Sequence, residues 1–64
     1  MTGTIKTLRR DKGFGFILSA GTEYFFHRSA LESASFDDLR EGESVDFDVV
    51  DSAKGPRAEH VTRK

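Results

Sequence analysis

The chain contains no cysteine, so neither a disulfide framework nor a thiolate zinc site can supplement its core, and a reducing compartment is permitted. No apolar run approaches membrane-spanning length, and Met1-Thr2-Gly3-Thr4 lacks the apolar stretch of a signal peptide. These absences predict a soluble cytoplasmic protein. Internal repeats and low-complexity tracts are missing too. With 64 residues, the sequence predicts one small domain spanning positions 1–64, with a single core and only marginal stability.

Strong net charge is also lacking. A balance of −1 by itself argues against a polyanionic partner, but the charges are unevenly distributed. Residues 1–28 carry Lys6, Arg9, Arg10, Lys12 and Arg28 against Asp11 and Glu23, a balance of +3. Residues 29–51 carry Arg40 against Glu32, Asp37, Asp38, Glu41, Glu43, Asp46, Asp48 and Asp51, a balance of −7. From 52 onward Lys54, Arg57, Arg63 and Lys64 outweigh Glu59, again +3. A fold that brings the two basic ends together makes one basic face and one acidic face. Charge segregation alone favours a solvated, mixed-charge surface that has no partner.

What is present is strand pattern punctuated by turns. Gly3 to Arg10 reads as a first strand with Ile5 inward. Asp11-Lys12-Gly13 reads as a turn, followed by a strand from Phe14 to Ser19 that ends at Ala20-Gly21. A third strand covers Glu23 to Arg28. Residues 29–42 show no sustained helical stripe and read as a long loop with at most one short helical turn begun by Ser29. Ser44 to Asp51 alternates cleanly and places Val45, Phe47 and Val49 inward. Lys54-Gly55-Pro56 turns the chain into a last strand, Arg57 to Arg63, anchored by Val61. Strict alternation there would send Glu59 inward beside Val61, which a bulge or a rim position would relieve. Five short strands without a long helix predict an all-β antiparallel barrel, because closure removes exposed edges.

The strand from Phe14 poses the functional question. Phe14 and Phe16 share one face, and Gly13, Gly15 and Ile17 share the other. Either face could be the core. Ile5, Ile17, Tyr24, Phe26, Leu31, Val45, Phe47, Val49 and Val61 already fill a domain of this size, so the sequence predicts that Phe14, Phe16, Phe25 and His27 form an exposed aromatic cluster edged by Lys6 and Lys12. Planar rings beside cations suit nucleobases and phosphates, and each stacked base is worth about 1 to 3 kcal/mol with little sequence preference.

Lys12-Gly13-Phe14-Gly15-Phe16-Ile17 resembles the first ribonucleoprotein motif of cold-shock domains, and Tyr24-Phe25-Phe26-His27-Arg28-Ser29-Ala30-Leu31 is similar to the second. The resemblance extends through Leu39, Glu41-Gly42, Gly55-Pro56 and Val61-Thr62. It implies a five-stranded Greek-key barrel of the OB type that binds single-stranded RNA or DNA, often as an RNA chaperone. It further implies stacking at Phe14, Phe16, Phe25 and His27, basic contacts at Lys6, Lys12 and Lys54, and an aromatic contact from Phe36 in the long loop. Three positions depart from the family pattern. Thr7-Leu8 stands where Trp-Phe is usual, and Arg28 stands where a Phe usually follows His27. Two aromatic platforms are thereby lost, and a guanidinium able to stack on a base replaces one of them. The RNA-recognition motif shares the aromatic signature but requires a strand, a helix and another strand before it. The eleven residues ahead of Lys12 leave no room for these.

Other constellations carry little. His27 and His60 are the only histidines, and without cysteine or a spaced carboxylate cluster they predict no metal site and no cofactor. The carboxylates at 37, 38, 41 and 43 lack calcium-loop spacing. Ser29, Ser33 and Ser35 have no histidine placed as a base, so no enzyme is expected. The expected partner is a single-stranded nucleic acid, met by a monomer. The rival expectation is a divergent cold-shock-like barrel whose exposed aromatics bind protein, with weak or no nucleic-acid binding, favoured by Thr7 and the acidic middle segment.

Overall fold

Alternation and turn chemistry build five strands in the computed structural model, which describes residues 1–32 and 36–63. The hydroxyls of Ser33 and Ser35 and the charge of Lys64 lie outside the described residues. The strands are β1 (Thr2–Arg9), β2 (Phe14–Ser19), β3 (Thr22–His27), β4 (Ser44–Ser52) and β5 (Gly55–Arg63). They close into a barrel in the order β1-β2-β3-β5-β4. Four seams are antiparallel as expected. The fifth is not: β3 and β5 run parallel and meet in a single registered pair, Phe25 with Arg57. An odd number of strands cannot alternate direction all the way round a ring, so one parallel seam is a geometric necessity.

The turns follow from residue type. Between β2 and β3 the last registered pair is Ser19 with Thr22, which leaves Ala20 (φ 51°) and Gly21 (φ 80°) as a two-residue loop in the left-handed region. That geometry matches the right-handed twist of the strands it joins. Between β1 and β2 the amides of Lys12 and Gly13 both donate to the carbonyl of Arg9, at 3.1 and 2.7 Å, and Gly13 takes φ 77°.

The core contains Ile5, Ile17, Phe26, Val45, Phe47 and Val61 as the alternation predicts, together with Ala30, Leu39 and Ala58. Tyr24 and Leu31 are half-buried against it rather than inside it. Val49 departs from expectation. Its register partner is the buried Ala58, so it keeps the inward phase, but it lies beyond the edge of the core and is 37% exposed. Leu39 fills the core from the far side instead, carried there by a chain that makes two single 3-10 turns, Arg28–Ala30 and Phe36–Asp38. The first turn starts one residue earlier than Ser29, and its cap is the His27 side chain.

Two bulges correct the phase of the strands. On β5 the register passes from Asp46–Thr62 to Asp48–Glu59, so Phe47 alone faces both His60 and Val61. His60 absorbs the extra residue at φ 53°. The slip lets Ala58 and Val61 both point inward and leaves Glu59 half-buried beside Arg57, at 2.8 Å, which resolves the clash between Glu59 and strict alternation. On β1 the register passes from Ile5–Ile17 to Thr7–Phe16, with Lys6 as the extra residue. Beyond it Thr7 shares the phase of Phe16, and Leu8, opposite Gly15, packs partly against the core.

Candidate nucleic-acid interface

The hairpin of β2 and β3 has an inner and an outer face, and the inner one is full. Gly15 lies opposite Phe26. A methyl group built on Gly15 would sit 2.6 Å from the Thr7 carbonyl oxygen and 2.8 Å from the Phe26 ring, closer than packing allows. Glycine therefore stands between the two phenylalanines because Phe26 and the neighbouring backbone occupy the space. Phe14 and Phe16 have only the outer face left to them.

On that face Phe14 pairs with His27 and Phe16 with Phe25. Ring centroids lie 5.4 Å apart for Phe14–Phe25, 5.9 Å for Phe16–Phe25 and 6.0 Å for Phe14–Phe16. The three rings form one patch. Phe14 and Phe16 are half-buried by their neighbours, while Phe25 is exposed. His27 extends the patch, and its Nδ1 accepts the Ser29 amide at 3.1 Å. That bond holds the ring in place.

The cations expected at the edge differ in availability. Lys6, the bulged residue, is bound to Glu23 at 2.9 Å, with both side chains about half exposed. Lys12 is exposed in the β1–β2 turn. Arg28 lies across Gly13, and its amide donates to the Gly13 carbonyl at 2.8 Å. Lys54 sits in the turn between β4 and β5, where Phe25, Ser52, Ala53, Lys54, Gly55, Pro56 and Arg57 line a shallow groove of about 550 Å³. The groove continues the aromatic patch, since Phe25 belongs to both. Phe36 is set apart from it. Its ring is half-buried and meets the core residue Phe26 at 6.1 Å.

Arg57 was not among the expected site residues. It reaches the groove because β3 and β5 pair in parallel, and no local signal in the sequence marks that pairing. Arg9 is exposed beside the first turn, whereas Arg10 turns back to the Leu39 carbonyl at 2.5 Å. Two groups off this face have displaced pKa values. Glu43 lies below its ordinary value, chiefly because it accepts the Arg40 amide and secondarily because Arg63 is close. His60 lies above its ordinary value, chiefly through its hydrogen bond with Glu32. Among the described residues no group of three or more His, Asp or Glu could hold a metal ion, and no helix is long and apolar enough to cross a membrane.

Residues 1–64 match the family described as the 'Cold-shock' DNA-binding domain. The chain belongs to the cold-shock domain family. It is 48% identical over 63 residues to the cold shock-like protein CspLB of Listeria monocytogenes, covering 97% of this chain and 96% of that one. It is 42% identical over 62 residues to the major cold shock protein of Streptococcus pyogenes, covering 95% and 92% respectively. Among solved structures the Drosophila chain described as Unr CSD456 superposes with a TM-score of 0.80 at 25% identity. The match covers 98% of this chain and only 26% of that longer one. Within this family framework the outer face of β2 and β3 carries the two aromatic motifs, and the departures at Thr7 and Arg28 lie at its borders. Thr7 faces out beside Phe16. Leu8 turns inward, and its replacement of an aromatic bears on packing.

Proposed function

We propose that this cold-shock domain binds single-stranded RNA or DNA by stacking bases on Phe14, Phe16, Phe25 and His27, with phosphates held by Lys12, Arg28 and Lys54. Lys6 joins them once Glu23 releases it. The observation that carries the reading is the packing of three phenylalanine rings within 6.0 Å of one another on an outer face, beside Lys12, Arg28 and Lys54, for which the described residues supply no ion pair. An apolar patch of this kind at the surface of a small domain requires a partner, and aromatic faces bordered by positive charge fit unpaired bases and their backbone. Binding is of low sequence selectivity and weakens with salt, with a slope corresponding to about two to four neutralised phosphates. Trapping unstacked bases opens RNA hairpins without catalysis or ATP, which is the action of an RNA chaperone. The protein works as a cytoplasmic monomer of one domain in this reading.

Fluorescence anisotropy of labelled oligo-U and oligo-dT at two salt concentrations tests it. Phe14→Ala and Phe25→Ala should each weaken binding about 5- to 150-fold, the equivalent of about 1 to 3 kcal/mol per lost stack. Absence of binding at tens of micromolar protein would overturn the reading and favour a protein partner for the aromatic face.

A further inference from the structure

Where the family pattern places a ring after His27, this chain carries Arg28. It is not a loose surface charge. A methyl group built at Gly13 would lie 3.1 Å from Arg28 Cδ and 3.4 Å from Nε, so the arginine stem rests on a residue that only glycine suits. The backbone of Arg28 is fixed on both sides: its amide donates to the Gly13 carbonyl at 2.8 Å, and its carbonyl accepts the Leu31 amide at 3.2 Å. Gly13 immediately precedes Phe14, and Arg28 immediately follows His27. Because Phe14 and His27 are register partners, the arginine is held at that end of the aromatic patch.

Its hydrogen-bonding capacity is unspent. Lys6, Arg57 and Arg63 are tied to Glu23, Glu59 and Glu43, and Arg10 is tied to the Leu39 carbonyl. Among the described residues Arg28 has neither an ion pair nor a side-chain hydrogen bond. A planar fork of donors beside rings that hold bases by their faces can read a base by its edge. The fork matches two adjacent acceptors, which guanine offers as O6 and N7. Uracil and thymine place an N–H between their carbonyls, and adenine sets a donor beside N7. Cytosine has adjacent O2 and N3, but its single ring covers less of the platform than a purine does.

We propose that Arg28 makes this site selective for guanine at the base bound next to the Phe14–His27 end, by a bidentate contact to O6 and N7. The proposal rests on the nucleic-acid reading of the aromatic face. It distinguishes this chain from a platform that uses a ring at the same place, since a ring face does not discriminate among bases.

The test is anisotropy titration of a uridine heptamer against heptamers carrying one guanine, cytosine or adenine at each position in turn. The wild type should bind the guanine heptamer at least about fivefold more tightly than the uridine heptamer in one register. Arg28→Lys keeps the charge and the stem but not the fork. It should melt like the wild type, and the ratio of guanine- to uridine-heptamer affinity should fall to about one, whatever the change in overall affinity. Equal binding of all heptamers by the wild type, a gain retained in Arg28→Lys, or a cytosine gain as large as that of guanine would each overturn the proposal. If the uridine heptamer binds and Phe25→Ala weakens it, those failures touch only Arg28. If no heptamer binds, the stacking reading falls and this inference with it.

Discussion

Phe25 and Phe26 are neighbours in sequence on one strand, yet Phe26 is completely buried and Phe25 is 37% exposed. Hydrophobicity does not separate them; strand phase does, together with the limited volume inside the barrel. Phe26 fills that volume so fully that its partner across the hairpin must be Gly15. The same alternation then sends Phe14, Phe16 and Phe25 outward, where they touch one another instead of the core. One strand pair thus carries a face that packs the core and a face that leaves rings at the surface, the face to which we assign base stacking.

The sharpest way to break this contrast is to remove one ring from each face. Phe26→Ala should cost about 3 to 5 kcal/mol, comparable with the about 3 to 10 kcal/mol available to a chain of this length, and should leave the protein largely unfolded in urea titration. Phe25→Ala should change the same midpoint by no more than about 1 kcal/mol. Comparable losses at both positions would mean that the outer rings are structural.

A smaller effect comes from restoring what the outer face lacks. Thr7→Trp places a ring beside Phe16 without entering the core, and should tighten oligo-U binding by about 5- to 150-fold while moving the unfolding midpoint by no more than about 0.5 kcal/mol. An unchanged affinity would show that the base path does not pass Thr7.

The smallest effect lies off both faces. His60 is bonded to Glu32 at 2.7 Å, and Asp48 and Glu59 add to the attraction against slight burial, which raises its pKa above 6.5. The pair favours the folded protein fully below the ordinary histidine value and ceases to do so as pH rises through the raised one. Melting temperature should therefore fall slightly across that window, and His60→Gln should flatten the dependence. A fall of the same size in His60→Gln would assign it to other groups.

The parts of this molecule legible in the sequence are those governed by local period. Val45 and Phe47 alternate into the core, the Ala20-Gly21 and Lys12-Gly13 turns occur where glycine permits them, and the outward direction of Phe14, Phe16, Phe25 and His27 follows from counting what the core can hold. The misreadings arise where distant contacts decide. Val49 has the right phase but lies past the end of the core. Leu39 sits in a segment without periodicity and is buried because the barrel needs closing there. Arg57 enters the groove through a parallel seam that no short-range pattern announces. The bulge at His60 was foreshadowed by the awkward phase of Glu59, whereas the bulge at Lys6 had no such signal.

The parallel seam has a consequence for motion. The other seams carry three to seven registered pairs, the longest unbroken run going from Phe14–His27 to Ser19–Thr22 between β2 and β3, but β3 and β5 share only the pair Phe25–Arg57 before Leu31 bridges to Val61. Local opening is least costly where the fewest backbone bonds must break. The seam is therefore where amide protons exchange first, and it runs through the residue that joins the stacking patch to the groove. If bases stack on Phe25 as proposed, they meet the part of the wall that yields most easily, and the site can adapt its width while the rest of the barrel stays closed.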